Sequence, residues 1–388
     1  MAKLQEFRPA LGAFLLMMAM ALTTTALSFF VEPVCAALEL GRGSFTIYYS
    51  ILTASGALAI PVLGQVINRK GVRGILAISS VWVALGLFVF SLSGSLWVFY
   101  GAAAVMGLFG TSCVSLCANV IVHQSYSGGR ASGLLGIVMS GSGVGGMIVS
   151  FLLPGLIVQL GWRWCYRILG ICWLLLGIGA LVLLGKQELT GGIGHRKTPA
   201  DGMTRAQALR SPKLYLLTAA MFILSAACGI QQLLPSVLSG YGFDTTQVSG
   251  MLSFFTAALA VGKIVQGLLY GRIGPDKGGY LVISVFALSY GLLRIPSMVY
   301  PALLLLAVGM GCVTTLMPIV TRFTFGALEY AAIWSILSTA SNVGALIATP
   351  LFGMVYDATG SYEPAMAAAA VGLASALIAL YLSFRNQK

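Results

Sequence analysis

Charge is what this chain has least of. Only 8% of its 388 residues are charged, where soluble proteins carry about a quarter, so a surface facing water on all sides cannot be built from it. There are ten acidic residues, and Glu32 is the one that falls close to membrane depth. That scarcity, together with histidines at only 123 and 195, leaves no paired carboxylates, Ser/His pair or metal cluster placed for catalysis. The seven cysteines, at 35, 113, 117, 165, 172, 228 and 312, lie in or at the edges of apolar runs. No disulfide framework is indicated. Cys113 and Cys117 share a helical face, but a metal needs further ligands, and small residues at helix contacts are the ordinary use of such positions. The chain is expected to be no enzyme, with no cofactor and no metal.

What fills the chain instead is apolar. Hydrophobic residues make up 58% and mean hydropathy is +0.94. Twelve runs are long enough to cross a bilayer: 9–31, 46–67, 74–93, 96–122, 132–158, 164–185, 213–238, 247–271, 279–297, 299–320, 330–355 and 364–384. The first is too long and too polar at its far end for a cleaved signal. The reading is an all-α polytopic membrane protein.

A net charge of +12 would point to nucleic acid in a soluble protein. Here its distribution explains it. With the N-terminus inside, seventeen of the twenty-two basic residues fall in cytoplasmic segments, which by the positive-inside rule makes both termini cytoplasmic. The expected setting is the bilayer of a bacterial inner membrane, with no nucleic-acid partner and a monomer as the working unit.

The runs are organised as a duplication. Gly64-Gln-Val-Ile-Asn-Arg-Lys-Gly71 after the second run recurs as Gly267-Leu-Leu-Tyr-Gly-Arg-Ile-Gly274 after the eighth, 203 residues on. Ser142-Gly-Val-Gly145 recurs as Ser341-Asn-Val-Gly344 at an offset of 199. Two unrelated motifs at nearly one offset imply two parallel six-span halves with a site near the midplane. The expected division is 1–185, a cytoplasmic loop 186–212, and 213–388. The loop's tail, Met203 to Pro212, is patterned as a short amphipathic helix.

Lys263 breaks the pattern of the basic residues, because it lies inside the run Met251–Tyr270. Nine residues from Arg272, it sits about 13 Å deep at helical rise, near the middle of a hydrocarbon core about 30 Å thick. A charge there is expensive and is a functional-site hypothesis by default. Thr256, Lys263 and Tyr270 repeat at seven residues with Gln266 one turn on, which makes a polar stripe. Other polar groups at depth are Thr23 to Thr25, Asn119, Ser140, Ser142, Gln231, Gln232, Thr314, Thr315, Ser338 and Asn342. A serine or threonine there commonly bonds its own backbone, whereas Asn119, Gln231 and Asn342 have more atoms to satisfy. Tyr48 is read as an interfacial aromatic or a ligand. Glu32, beside Pro33, is an outer-gate partner, a proton site or a solvated helix end. Pro235 is expected to bend or break the seventh span.

Gly64-x-x-x-Asn68-Arg69-Lys70-Gly71-x-Arg73 resembles the signature of the major facilitator superfamily between spans two and three. The signature's aspartate is Asn68 here and Gly271 in the second copy. The resemblance implies the twelve-helix fold, alternating access, and conformational roles for Gly64, Asn68, Arg69, Arg73, Gly267 and Arg272. Phe30-Val-Glu-Pro33, Gly161-Trp-Arg163, Thr204 to Pro212 and the Gly353–Tyr362 segment look like the monocarboxylate and oxalate/formate exchanger branch. In that branch an arginine in span eight pairs with the substrate carboxylate, and Lys263 occupies about that position. Lysine keeps the charge without the bidentate fork. Leu259 stands where the animal carriers place an aspartate, and span eleven has no second basic group, so a monoanion is expected over a dianion. The expectation is a transporter of a small organic anion, with Lys263 as its counter-charge and Asn119, Gln231, Asn342, Thr256, Gln266 and Tyr48 as further contacts. The alternative is a drug, cation or other small-molecule exporter of the same superfamily.

Overall fold

The computed structural model describes residues 2–40, 42–185 and 202–385. Its helices run, in chain order, α1 Ala2–Thr24, α2 Val31–Leu38, α3 Arg42–Lys70, α4 Val72–Leu92, α5 Leu96–Met106, α6 Ser112–Ser125, α7 Gly128–Leu160, α8 Trp162–Leu184 and α9 Arg205–Arg210. The chain continues with α10 Pro212–Ala227, α11 Leu234–Gly240, α12 Thr245–Ile273, α13 Pro275–Leu293, α14 Val299–Met310, α15 Cys312–Phe325, α16 Tyr330–Thr359 and α17 Glu363–Arg385. Among the described residues, eleven helices are long and apolar enough to cross a membrane. The remaining expected run, the ninth at 279–297, corresponds to α13, whose polar opening Pro275-Asp-Lys dilutes its hydropathy.

The chain forms two compact units. Unit 1 holds Met1–Tyr126, Val138–Ala200 and Glu329–Ser335, and unit 2 holds Ser127–Ile137, Asp201–Leu328 and Ile336–Lys388. Within unit 1, α4 packs on α8, α1 on α8 and on α6, and α3 on α5. Unit 2 repeats each pairing: α13 on α17, α10 on α17 and on α15, α12 on α14. The same sequence signals set the corners. Gly71 (φ 80°) and Gly274 (φ 88°) end α3 and α12, and Gly161 (φ 81°) and Gly360 (φ 69°) stand after α7 and α16. Glycine alone adopts these left-handed angles without strain, so the chain reverses within one residue at matching points of both halves.

Several expected spans are interrupted rather than continuous. The first breaks into a 3-10 turn at Ala26–Phe30 between α1 and α2, and the seventh breaks at Cys228–Leu233 between α10 and α11. The two turns begin 202 residues apart, in register with the duplication. The fourth span is interrupted likewise, by a π turn at Gly107–Thr111 between α5 and α6. Of the hydrophilic segment, 186–201 lies outside the described residues. Its tail forms α9, where the Thr204 hydroxyl accepts from the Gln207 amide at 3.3 Å and the Gln207 side chain answers to the Thr204 amide at 2.9 Å, a reciprocal cap that starts the helix. At the end of α11, the Tyr241 hydroxyl donates to the Leu293 carbonyl at 2.8 Å beside the Arg294–Glu363 ion pair at 2.9 Å. Burial, with the Glu363 carboxylate second, pushes that phenol above its ordinary pKa.

Candidate substrate site

The seventh span positions the site in unit 2. Pro235 has no N–H to offer the Gln231 carbonyl, and the preceding residues tighten into the 3-10 turn instead of continuing α10. Gln231 is exposed on that turn. The Tyr290 hydroxyl, carried on α13, donates to the carbonyl of Ala227 where the turn begins. Interrupted helices in corresponding positions of two repeats are where transporters of this kind expose backbone groups to a solute.

Lys263 reaches this break from α12. It is half-buried and close enough to Cys228, the first residue of the turn, to interact with it electrostatically. Cys228 also lies within such range of Tyr290 and Cys312. The group therefore gathers side chains from α12, α13 and α15 around one broken helix. Cys228 and Tyr290 were not among the expected site residues. A cysteine followed by glycine, seven residues before a proline, was the available signal for the first, and nothing in the local pattern marks the second.

The remaining polar stripe divides. Thr256 is exposed and its hydroxyl donates to its own Leu252 carbonyl at 2.9 Å. Gln266 is buried, and its groups are engaged inside unit 2: Nε2 donates to the Val308 carbonyl, while Oε1 accepts from Thr315 at 2.6 Å and from Tyr270 at 3.0 Å. That knot ties α12 to α14 and α15. Asn342 is half-buried on α16, next to Ser341, which donates to Ser225 of α10 at 3.0 Å.

In unit 1, Asn119 is buried, donates to its own Ser115 carbonyl at 2.8 Å, and keeps an Oδ1 with no hydrogen-bond partner. Tyr48 does not stand at an exposed interface but is packed inside unit 1. It is 1% exposed, packs against Phe45, Phe90 and Phe99, and donates to the Leu27 carbonyl at 3.2 Å. It thus holds the first span's 3-10 turn much as Tyr290 holds the seventh's. Glu32 lies in α2, and its side chain is outside the described residues.

The signature residues divide between close helix contacts and exposed positions. Gly64 lets α3 approach α16 so closely that a Cβ there would meet Ser335 and the Ala331 carbonyl, the latter at 2.7 Å. Gly267 does the same for α12 against α7, where a Cβ would meet the Ser132 carbonyl at 2.6 Å. Asn68 is half-buried with an unbonded Oδ1, Arg69 and Arg272 are exposed, and Arg73 donates to the Gly185 carbonyl.

Residues 10–328 match the Major Facilitator Superfamily. The chain belongs to that family. It is 24% identical over 303 residues to the agnestins efflux protein AgnL12 of Paecilomyces divaricatus, a match covering 76% of this chain and 67% of that one. It is 28% identical over 291 residues to the multidrug resistance protein MdtG of Serratia proteamaculans, covering 72% and 69%. The fold is that of the E. coli fucose:proton symporter FucP, with a TM-score of 0.75 at 14% identity over 98% of this chain and 99% of that one. The two sequence relatives are named for efflux and for multidrug resistance, and they do not single out the monocarboxylate branch. A superfamily secondary transporter, and not an enzyme, is what this chain is.

Proposed function

We propose that this transporter exports a small organic molecule bearing a negative charge, by alternating access, with Lys263 drawing the charged group toward the broken seventh span. The single observation that carries the charge of the substrate is Lys263 beside Cys228 at the 3-10 turn. A lysine at such depth costs about 2.5–3.5 kcal/mol on insertion scales, and an anion brought next to it offsets both its own desolvation and that cost. Export as the direction is supported by AgnL12 and MdtG, whose names concern efflux and multidrug resistance. Gln231 on the turn and Asn342 on α16 supply neutral donors for the rest of the solute.

A second reading, extrusion of neutral or cationic drugs, is favoured by the likeness to MdtG. The two separate in everted vesicles containing the chain, supplied externally and in parallel with aromatic or aliphatic carboxylates and with lipophilic cations. Accumulation of the acids and not the cations is expected. Accumulation of the cations alone would replace the anion reading with the second.

A further inference from the structure

A cavity of about 450 Å³ lies at the corner between α3 and α4, lined by Lys70, Gly71, Val72, Arg73, Gly74, Ala77 and Leu181. We propose that it binds the anionic headgroup of a membrane phospholipid. Three features of the corner argue for that occupant, and none depends on what the transporter carries.

The first is charge. Lys70 and Arg73 both line the cavity, and among the described residues no lining side chain is acidic. Asn68 stands just before them where the family signature has an aspartate, so the local sequence Asn68-Arg-Lys70 is purely cationic. The Arg73 guanidinium is held by its bond to the Gly185 carbonyl, which leaves most of its five donors for a phosphodiester.

Depth is the second. α3 ends at Lys70, α4 begins at Val72 and α8 ends at Leu184, and all three helices are of membrane-spanning length and composition. Their ends meet at the headgroup level, on the face where the basic loops gather. Lysine and arginine just beyond a span are the usual attractors of anionic lipid.

Shape is the third. Val72, Ala77 and Leu181 give the cavity an apolar wall, which suits the glycerol and first methylenes of a lipid and not a free phosphate. The space is open at Gly74, where an added Cβ meets nothing within 4 Å.

Native mass spectrometry of the full chain, released from vesicles of phosphatidylcholine with a minor share of phosphatidylglycerol, tests this. One phosphatidylglycerol is expected to stay bound preferentially. Lys70→Gln with Arg73→Gln should weaken its retention about thirtyfold, while Lys277→Gln with Arg385→Gln, which removes equal charge at exposed positions, should leave retention unchanged. Gly74→Leu fills the cavity without touching a charge and should also displace the lipid. It decides the matter if the double variant fails a thermal-melt test of folding. Equal loss in both double variants, retention of the lipid by Gly74→Leu, equal retention of phosphatidylcholine, or displacement by inorganic phosphate would each overturn the proposal.

Discussion

The helices α3 and α12 are copies of one another that have been put to different uses. Each has 29 residues and ends at a left-handed glycine. Each carries a glycine, Gly64 or Gly267, that permits close backbone approach. Thr53 and Thr256 hold the same place in the repeat, and both donate to the carbonyl four residues back, at 2.9 Å in each case. Between these shared points the copies diverge. Ile60, Leu63 and Ile67 of α3 stand opposite Lys263, Gln266 and Tyr270 of α12. The first half is built around an aromatic cluster of Phe45, Tyr48, Phe90 and Phe99, and the second around the Gln266 knot and the Lys263–Cys228 group. Duplication kept the framework and concentrated the polar chemistry in one copy.

Exchanging residues across that divide should show how far it reaches. Ile60→Lys moves the lysine into the apolar copy, where the position is 2% exposed, and should destabilise the protein by about 3 kcal/mol, read as a lowered thermal midpoint in detergent. Gln266→Leu makes the second copy resemble the first. It strands the Val308 carbonyl and deprives Tyr270 and Thr315 of an acceptor, so a loss of about 2 kcal/mol is expected by the same assay.

The paired tyrosines give a finer cut. Tyr48→Phe and Tyr290→Phe each remove one hydroxyl from the carbonyl of a broken span, at about 1 kcal/mol apiece. Only the second should also slow transport, because Tyr290 neighbours Cys228. Equal transport effects would erase the asymmetry between the halves. Thr53→Val and Thr256→Val should both stay within about 0.5 kcal/mol and leave transport intact, since each hydroxyl is spent on its own helix.

The framework was legible because apolar length, basic flanks and repeated glycines are local signals. Lys263 was legible for the same reason: a charge in an apolar run stands out without any tertiary knowledge. Tyr48 and Gln266 were not. Whether a tyrosine meets lipid, solute or three phenylalanines depends on which helices pack beside it, and the acceptor and the donor that engage Gln266 lie 42 and 49 residues away. The branch resemblance rested on short stretches at span ends, which the shared superfamily architecture explains as well as a shared substrate would. The break at Cys228–Leu233 was half visible, since Pro235 announced a bend but not that the turn would begin seven residues before it.

The central claim is that Lys263 holds the charge of the transported molecule. It is tested most directly by efflux of the best carboxylate substrate from vesicles containing the wild-type, Lys263→Gln or Lys263→Arg chain, each first shown to melt like the wild type. Loss of at least about thirtyfold in Lys263→Gln, with substantial recovery in Lys263→Arg, is the predicted result. Efflux by Lys263→Gln at the wild-type rate would contradict it.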